Sequence, residues 1–456
     1  MLTIIGACSF FGTSVRMRRC AQQWLDDNIA WAKKNGVYLV LNMHVPPGGY
    51  QSLGEGKALW DAPSAQERFI ALWRTIAERY RDEPAIAGYD LLNEPVVTKS
   101  KDQWQTLAER TIAAVREVDS NHILFIERVN AVEGNWKEDA ERNFFLVNDK
   151  NVVYEFHFYK PFHFTHQGAS WVDFAAEDIA YPDPERVAVE WFLPDWQNGS
   201  FGNPKLPAGT TAWTYYEGVP FKVTDSDFAV GQPALGCGRN SGKAYFDDLV
   251  LEELNEDGSV KREIRRIPLT TRRGWFYWTQ NGSGEGGDAT PGREDEKSLF
   301  ISGSTAEANF SAEIYRFRPE EGATYRISGW MKGENIPESA VCQIRMDFYS
   351  SRVPVQAMDK AFLAQELDAY VAWGEVHNVP LFLGEFGAIR AAFEDDRGGV
   401  RWVKDMLDLL DERNLHYTYH DYHEQSFGLY YGDDALPDPA NANPPLIELF
   451  TSELTR

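Results

Sequence analysis

Two short segments, DLLNEP at residues 90–95 and LGEFG at residues 383–387, each have the pattern of a buried strand that ends on a glutamate. Two carboxylates that face each other across a cleft can cleave a glycosidic bond. One is protonated and helps the leaving oxygen depart, while the other is ionised and attacks the anomeric carbon. A separation of about 5 to 5.5 Å permits the covalent, retaining route. Glu94 and Glu385 are therefore a candidate catalytic pair.

Other polar side chains follow predicted strands at the same end as the two glutamates. In a sheet of parallel strands these carboxyl ends meet at one edge, and in a (β/α)₈ barrel they form the mouth where the chemistry occurs. We therefore expect one active site at this edge. The polar residues at strand ends include His44, Asn93, His157, Tyr159, His420 and Asp421.

The elements that must position these residues alternate between strand and helix. The continuous apolar runs are typical of strands buried on both faces of a parallel sheet. Ser64 and Glu67 have the spacing of a capping box at the start of one helix. We predict strands at 37–44, 85–93, 122–127, 151–159, 379–385 and 415–421, and helices at 22–36, 64–80, 101–117, 359–377 and 398–413.

This alternation predicts an α/β fold, a (β/α)₈ TIM barrel. A doubly wound open sheet is the structural alternative, but no glycine-rich phosphate loop follows any strand. Only six strands are clear, with a seventh in TSVRM near residue 15. A further strand at residues 2–7 would leave too few residues for a parallel crossover, which needs about a dozen. The first strand or its helix is therefore expected to be missing or abnormal.

Residues 196–350 do not alternate in this way. They are rich in glycine, threonine, serine and aromatic residues, with short alternating segments that predict an all-β sandwich inserted after the sixth strand. The predicted domains are residues 1–195 and 351–456, which together form the barrel, and 196–350, the insert. Because loops of barrels tolerate insertions, the long separation of Glu94 and Glu385 does not require two sites.

The strand-end motifs resemble family 5 glycoside hydrolases, the cellulase-type members of a clan of retaining (β/α)₈ enzymes. LLNEP and LFLGEFG resemble the acid/base and nucleophile strands of that family. VLNMHVPPGG, YEFHFYKPFHFTHQGASW and TYHDYHEQSFGLY resemble its third, sixth and eighth strands. The likeness covers roughly residues 10–195 and 355–456.

The resemblance implies a role for each matching residue. Glu94 corresponds to the general acid/base, Glu385 to the nucleophile and Asn93 to the residue that binds the sugar 2-hydroxyl. The remaining matches are supporting or substrate-binding positions: Arg16 and Tyr159 beside the nucleophile, the histidines His44 and His157, and His420, which stands where the family usually has a tryptophan platform. No cofactor is expected for catalysis.

The insert resembles jelly-roll carbohydrate-binding modules, with its two halves in the reversed order of a circular permutation. Trp275, Tyr277 and Trp278 are either sugar-stacking residues or core. Asp247 and Asp248 correspond to a possible structural calcium site, since such modules often hold one. A surface acidic pair is the alternative for these two residues.

Composition restricts the partners. The net charge of −24 argues against nucleic acid and anionic membranes. The four cysteines are scattered, so neither a disulfide framework nor a zinc site is expected. No run approaches the roughly 20 apolar residues that span a bilayer. The substrate class predicts a secreted or periplasmic protein, although no signal peptide is visible.

These observations predict a retaining endo-β-1,4-glucanase that acts on cellulose-like or mixed-linkage β-glucan, as polysaccharide or oligosaccharide. The alternatives within the enzyme class are a β-mannanase and an exo-acting β-glucosidase. The competing class is a non-catalytic carbohydrate-binding protein. A purely structural role would not require a glutamate in both motifs.

Overall fold

The structure is a computed structural model. It describes residues 2–5, 19–136, 143–172, 174, 179–188, 194–199, 203–224, 228–294, 297–351, 355–432, 434 and 436–454.

Seven strands form one parallel sheet in which spatial order follows chain order. Each strand lies beside the strand that precedes it in the list, and all six pairings are parallel. The strands are β1 (Leu2–Ile5), β2 (Leu39–Asn42), β3 (Ile86–Asp90), β5 (Ile123–Glu127), β7 (Val152–Phe158), β20 (Leu381–Phe386) and β21 (His416–Tyr419).

Helices connect most of these strands. The second long helix has one buried apolar stripe: Phe69, Trp73, Ile76 and Tyr80 are each 6% exposed or less. The helices are α1 (Arg19–Asn35), α2 (Ala58–Asp61), α3 (Pro63–Tyr80), α4 (Asp102–Arg116), α5 (Phe162–Thr165), α6 (Lys360–His377), α7 (Gly399–Glu412) and α8 (Pro444–Leu454), with 3₁₀ turns at Glu313–Tyr315, Arg390–Phe393 and Pro439–Asn441.

The interior of the parallel sheet shows that it curls. Val40 of β2, Phe125 of β5 and Phe382 of β20 form one buried cluster, and the rings of Phe125 and Phe382 lie 5.2 Å apart. These three strands are not neighbours in the sheet, so their side chains meet only if the sheet bends around them. Layers of branched and aromatic residues from alternate strands are the core of a (β/α) barrel. The predicted fold class is supported in this respect.

Two sequence predictions near the start of the chain have different outcomes. TSVRM, the predicted strand near residue 15, lies outside the described residues, while β1 pairs with β2 along Leu2–Ile5. The capping box at Ser64 and Glu67 is wrong. Pro63 occupies the first turn and Ala62 is the N-cap, without a side-chain hydrogen bond. Proline suits this position because its fixed φ is helical, so the helix begins before Ser64.

The insert consists of antiparallel strands, as its sequence pattern predicts. Its longest strand has 25 residues and pairs with four others, so it connects most of the region into one hydrogen-bonded network. The strands are β9 (Pro194–Gly199), β10 (Gly209–Tyr216), β11 (Phe221–Lys222), β12 (Val230–Leu254), β13 (Val260–Ile267), β14 (Phe276–Thr279), β15 (Glu285–Ala289), β16 (Ser298–Ser311), β17 (Thr324–Ile336) and β18 (Val341–Ser351). Strands β8 (Asp183–Ala188) and β19 (Gln356–Met358) pair at the base of the insert, and β4 (Val96–Val97) pairs with β6 (Ala131–Val132).

A disulfide joins Cys237 of β12 to Cys342 of β18, so the expectation of unpaired cysteines is wrong for these two. The antiparallel register places the two residues opposite each other, with Cα atoms 4.1 Å apart. They are 105 positions apart in the sequence. Spacing along the chain could not reveal this pair, because strand register creates it.

The chain divides into two compact units. The first contains Met1–Tyr159, Ala364–Gly387 and Met406–Tyr422, and the second contains Lys160–Leu363, Ala388–Asp405 and His423–Arg456. The predicted domain boundaries at residues 195/196 and 350/351 remain predictions. Within the described residues, no helix combines the length and apolarity needed to cross a bilayer.

Candidate active site

Helix-borne tryptophans fix the strand ends that carry the candidate residues. The indole of Trp73 on α3 donates to the carbonyl of Leu91, just past the end of β3, at 2.9 Å. The indole of Trp104 on α4 donates to the carbonyl of Glu127, the last residue of β5, at 2.8 Å. Both indoles are buried, so the segments that lead into the site are anchored from behind.

His157 lies between the two candidate catalytic carboxylates. Its Nδ1 is 3.1 Å from Oε1 of Glu94 and 3.4 Å from Oε2 of Glu385. One oxygen of each glutamate and one nitrogen of His157 all lie within 4.8 Å of one another. The two carboxylates are therefore close enough for the retaining geometry, whereas an inverting pair would be about 6.5 to 9.5 Å apart.

Two more predicted residues flank Glu385. The hydroxyl of Tyr159 donates to Oε2 of Glu385 at 2.8 Å. Nδ1 of His420 lies 4.0 Å from the same oxygen, and its backbone N–H donates to the carbonyl of Phe386. Tyr159 remains a neutral donor, because burial and the neighbouring Glu385 raise its pKa well above the ordinary value. Glu385 is thus held and oriented from two sides.

Asn93 and His44 offer polar atoms that the described protein does not use. The Asn93 amide nitrogen donates to Ser52 Oγ at 3.2 Å, while its carbonyl oxygen is buried without a hydrogen-bond partner. Nδ1 of His44 is also buried without a hydrogen-bond partner. Burial lowers the pKa of His44, which outweighs the opposing effect of Glu385 and Glu94. A neutral imidazole and a free amide oxygen can both bind sugar hydroxyls.

The electrostatics of the pair centre on the imidazole of His157. Burial alone would lower the pKa of His157, but Glu127, Glu385 and Glu94 together raise it well above the ordinary value. For Glu94, burial raises the pKa. The hydrogen bonds and charges of His157, Ser52 and His44 outweigh this effect of burial and bring the pKa of Glu94 to about 2. For Glu385 burial raises the pKa, and His157 and His420 lower it further than burial raises it. Both carboxylates are therefore ionised around an imidazolium.

A layer of buried acids lies below this site, and sequence reasoning did not identify it as functional. Asp90, Glu127 and Glu155 are each 3% exposed or less. Burial raises the pKa of Asp90 to about 6 and raises those of Glu127 and Glu155 well above the ordinary value. The available signal was a charge inside or at the end of an otherwise apolar strand.

Strand register places each of these acids beside a polar neighbour. Asn42 pairs with Asp90 across β2 and β3, and Glu127 pairs with Glu155 across β5 and β7. Glu127 follows Phe125 of the apolar cluster by two positions, so both side chains lie on the same face of the sheet. Asn42 donates a hydrogen bond to Asp90. Gly384 of β20 leaves the space for Glu155, since a Cβ there would lie 1.7 Å from its Oε1.

The remaining predicted residues lie elsewhere. Arg16 is outside the described residues. Asp248 belongs to β12 of the insert, where Arg293 donates to it at 2.7 and 3.2 Å, and Asp247 accepts the backbone N–H of Arg293 at 2.9 Å. A calcium ion takes six to eight oxygen ligands. These contacts do not fit such a site unless the guanidinium of Arg293 is displaced.

The trio of Glu94, His157 and Glu385 is also close enough to ligate a metal ion. A metal needs a neutral imidazole nitrogen, because a protonated nitrogen has no lone pair to donate. The raised pKa of His157 therefore disfavours a metal and favours a proton between the carboxylates.

Comparison with known proteins finds similar proteins for the first part of the chain. Residues 17–191 match the family model described as cellulase (glycosyl hydrolase family 5). Endoglucanase C of Acetivibrio thermocellus is 37% identical over 181 residues, which is 39% of this chain and 51% of that protein. A β-xylosidase of Phanerodontia chrysosporium is 32% identical over 193 residues, 39% of this chain and 38% of that protein.

Among solved structures, Cel5A of Thermotoga maritima in complex with cellobiose is 17% identical, with a TM-score of 0.45, over 95% of this chain and 79% of that one. The chain spans about half the length of the endoglucanases it matches. The match of residues 17–191 to this family model agrees with the expected resemblance of that part of the chain to family 5.

Proposed function

We propose that the protein is a retaining endo-β-1,4-glucanase that hydrolyses cellulose-like or mixed-linkage β-glucan, with Glu385 as nucleophile and Glu94 as acid/base. The observation that carries the proposal is the pair of carboxylates gathered within 4.8 Å around one nitrogen of His157. The match of residues 17–191 to a cellulase family and the name of the relative Endoglucanase C support the substrate class.

The reaction has two displacements. In the first, a carboxylate oxygen of Glu385 bonds to the anomeric carbon while the glycosidic C–O bond breaks, and Glu94 gives a proton to the leaving oxygen. In the second, Glu94 takes a proton from water, whose oxygen displaces Glu385 from the anomeric carbon. The Tyr159 hydroxyl keeps Glu385 aimed during the first step. Asn93 accepts the sugar 2-hydroxyl at its unpaired amide oxygen.

The first displacement needs a proton on Glu94, and the free site has that proton on His157, 3.1 Å away. The bound sugar excludes water from Glu94, which raises the pKa of a carboxyl. Formation of the glycosyl ester also removes the charge of Glu385. Once that proton has left with the departing oxygen, Glu94 is ionised and His157 is neutral, and the proton that Glu94 then takes from water can return to His157.

The test is reducing-sugar release from carboxymethyl cellulose, mixed-linkage glucan, glucomannan, mannan and xylan by the wild type, Glu385→Gln and the exposed-surface control Glu375→Gln. We expect activity on the β-1,4-glucans, a loss of about a thousandfold or more in Glu385→Gln, and none in the control. A fast fall in viscosity relative to new reducing ends identifies endo cleavage. Activity on mannan alone, or release of glucose alone, would instead establish a β-mannanase or an exo-β-glucosidase. Specific glucan binding by folded wild type without hydrolysis would establish a non-catalytic binding protein.

We propose that the insert is a permuted carbohydrate-binding module. Its proposed sugar-binding surface differs from the one predicted from the sequence. Trp275 is buried, and Tyr277 packs on Phe310 with ring centroids 5.1 Å apart. Five other aromatic residues share one face of neighbouring strands, as the pairs Tyr245–Phe300 and Tyr215–Trp330 indicate. This aromatic face consists of Trp213, Tyr215, Tyr245, Phe300 and Trp330.

Tyr245 and Phe300 of this face are buried, whereas Tyr215 is 43% exposed. An exposed aromatic ring on a sheet suits stacking against a sugar ring. We expect Tyr215→Ala to weaken retention on insoluble cellulose or in glucan-containing gels. Phe276→Ala is the control, since Phe276 lies on β14 and is 65% exposed. Equal retention of both variants and the wild type would refute a role for this face.

Two further expectations stay proposals. If a structural calcium ion binds at Asp248, the melting temperature should be higher with calcium than with a chelator. Asp248→Asn should abolish this difference. Export from the cytoplasm is supported by the disulfide, because such bonds persist in oxidising compartments. Fractionation of the native cells tests it directly.

A further inference from the structure

Glu127, at the end of β5, touches the backbone of the acid/base. It is 0% exposed, and its Oε2 accepts the backbone N–H of Glu94 at 2.5 Å. Glu94 has φ of +45°, in the left-handed region that a side chain with Cβ rarely occupies. Such a conformation persists only where surrounding contacts impose it. The carboxylate of Glu127 is one such contact.

The same carboxylate also faces the imidazole between the catalytic pair. Nε2 of His157 lies 3.8 Å from Oε2 of Glu127 and 3.9 Å from Oε1 of Glu155. The opposite nitrogen faces Glu94 and Glu385, so the ring lies between two pairs of carboxylates. Glu127 is thus connected to Glu94 by two routes, one through the main chain and one through His157.

We propose that Glu127 is a positioning residue of the active site: its buried carboxylate fixes the left-handed backbone of Glu94 and keeps His157 as an imidazolium against the catalytic pair. The inference rests on the proposed function and adds a residue to its machinery. Glu127 does not reach the substrate or the reacting atoms. It acts through the orientation of Glu94 and the charge of its neighbour.

The other charged groups around His157 define what has to be controlled. Among the described residues, Glu155 lies on its own strand, Glu94 and Asp90 belong to β3 and its extension, and Glu385 lies on β20. Besides burial, the charge of His157 lowers the pKa of His44, which lies beyond β2. Glu155 provides the matched comparison, because it lies at nearly the same distance from Nε2, whereas the Glu94 backbone N–H donates to Glu127.

Three variants separate the two effects of Glu127. Glu127→Gln keeps an oxygen for the Glu94 N–H but removes the negative charge that faces Nε2, which favours the neutral imidazole. We expect the alkaline limb of kcat/KM to move to lower pH by about one unit or more, and kcat to fall about tenfold with KM within threefold. Glu127→Ala also removes the acceptor, and should lower kcat about tenfold further.

Glu155→Gln should shift the limb in the same direction but leave kcat at the optimum within about threefold of wild type. Equal kcat in Glu127→Ala and Glu127→Gln would overturn the backbone contact. Identical profiles for Glu127→Gln and Glu155→Gln would overturn the special position of Glu127. Circular dichroism and melting curves confirm folding, and Glu127→Gln alone decides the charge effect if Glu127→Ala does not fold.

A measurement without substrate distinguishes this inference from the proposed function. NMR titration of isotope-labelled histidine, with the signal of His157 assigned from His157→Asn, gives its pKa in the wild type and in Glu127→Gln. We expect a lower value in Glu127→Gln, whatever the substrate. An unchanged value would overturn the proposed effect of Glu127 on charge. A lowered value in Glu127→Gln, together with a wild type that cleaves no glucan, would overturn the proposed function and leave the charge effect standing.

Discussion

The parallel sheet and the insert both bury carboxylates, but they compensate them in opposite ways. In the parallel sheet, Asp90, Glu127 and Glu155 lie against one another and against His157. In the insert, acids pair with arginines of a neighbouring strand or of the same strand. Examples are Arg326–Glu252 at 2.8 Å, Arg345–Asp347 at 2.9 Å and Arg262–Glu253 at 2.7 Å.

The choice of cation explains the contrast. A guanidinium does not lose its proton in a protein, so the ion pairs of the insert keep a fixed charge over the working pH range. An imidazole can gain and lose a proton near neutrality, and buried carboxylates can share it. The insert therefore uses charge to fix strands, whereas the sheet keeps charge movable next to the reaction. Each prediction below tests one side of this difference.

The largest effect is expected at the titratable groups of the parallel sheet. Glu94→Gln should lower kcat/KM on a β-glucan about a thousandfold, because the leaving oxygen loses its acid. A cellobioside with a dinitrophenolate leaving group needs no acid in the first step, so its cleavage should slow far less, until the glycosyl-enzyme accumulates. A burst of dinitrophenol measures this. Equal losses on both substrates would contradict the acid/base assignment.

At the arginine–carboxylate pairs of the insert we expect a loss of stability without a loss of catalytic activity. Arg326→Met removes the partner of the partly buried Glu252 and should lower the free energy of unfolding by about 2 kcal/mol. Denaturant unfolding measures this. The kcat on soluble glucan should stay within about twofold at temperatures where the variant is folded. A tenfold fall in kcat would show that the insert acts on the chemistry.

A smaller effect of the opposite sign is expected at Glu155. Its folded-state pKa is raised by burial, so ionisation opposes folding above the unfolded-state value near 4.5. Glu155→Gln removes that cost and should stabilise the protein by about 1 kcal/mol at pH 8, with little effect at pH 4. Urea unfolding at the two pH values measures the difference. Destabilisation that grows with pH would mean that the ionised carboxylate is the stabilised form.

The smallest effect belongs to exposed pairs. Arg74 and Glu117 lie 3.4 Å apart with both side chains exposed. Arg74→Ala should change the free energy of unfolding by less than about 0.5 kcal/mol and leave kcat/KM unchanged. The change measured for Arg74→Ala is the reference with which the effects of the other three variants are compared.

Much of the parallel sheet could be predicted from the sequence because its signals are local. Apolar runs flanked by helical periodicity place β2, β3, β5, β7, β20 and β21 within a few residues. Glu94, His157, Tyr159 and Glu385 lie close together at the ends of these strands. Glu127 also ends a strand in the sequence, but its role depends on a main-chain contact to another strand.

Features that depend on register were missed. Cys237 and Cys342 become neighbours only through the pairing of β12 with β18. The aromatic face has the same origin, since Tyr215 and Trp330 are opposed by strand pairing and not by sequence spacing. In a region of non-local antiparallel pairs, knowing that strands exist does not fix which residues face each other.

The close approach of Gly384 to Glu155 limits the order in which this site can change. Any side chain at position 384 would collide with the Glu155 carboxylate, so such a substitution is excluded as a first step. Once residue 155 is shortened to alanine, the three nearest contacts of that Cβ, all with the Glu155 side chain, are gone. The two positions should therefore show sign epistasis, with one permitted mutational path and one forbidden path between the same two genotypes. Libraries that vary LGEFG alone would miss every variant on the permitted path.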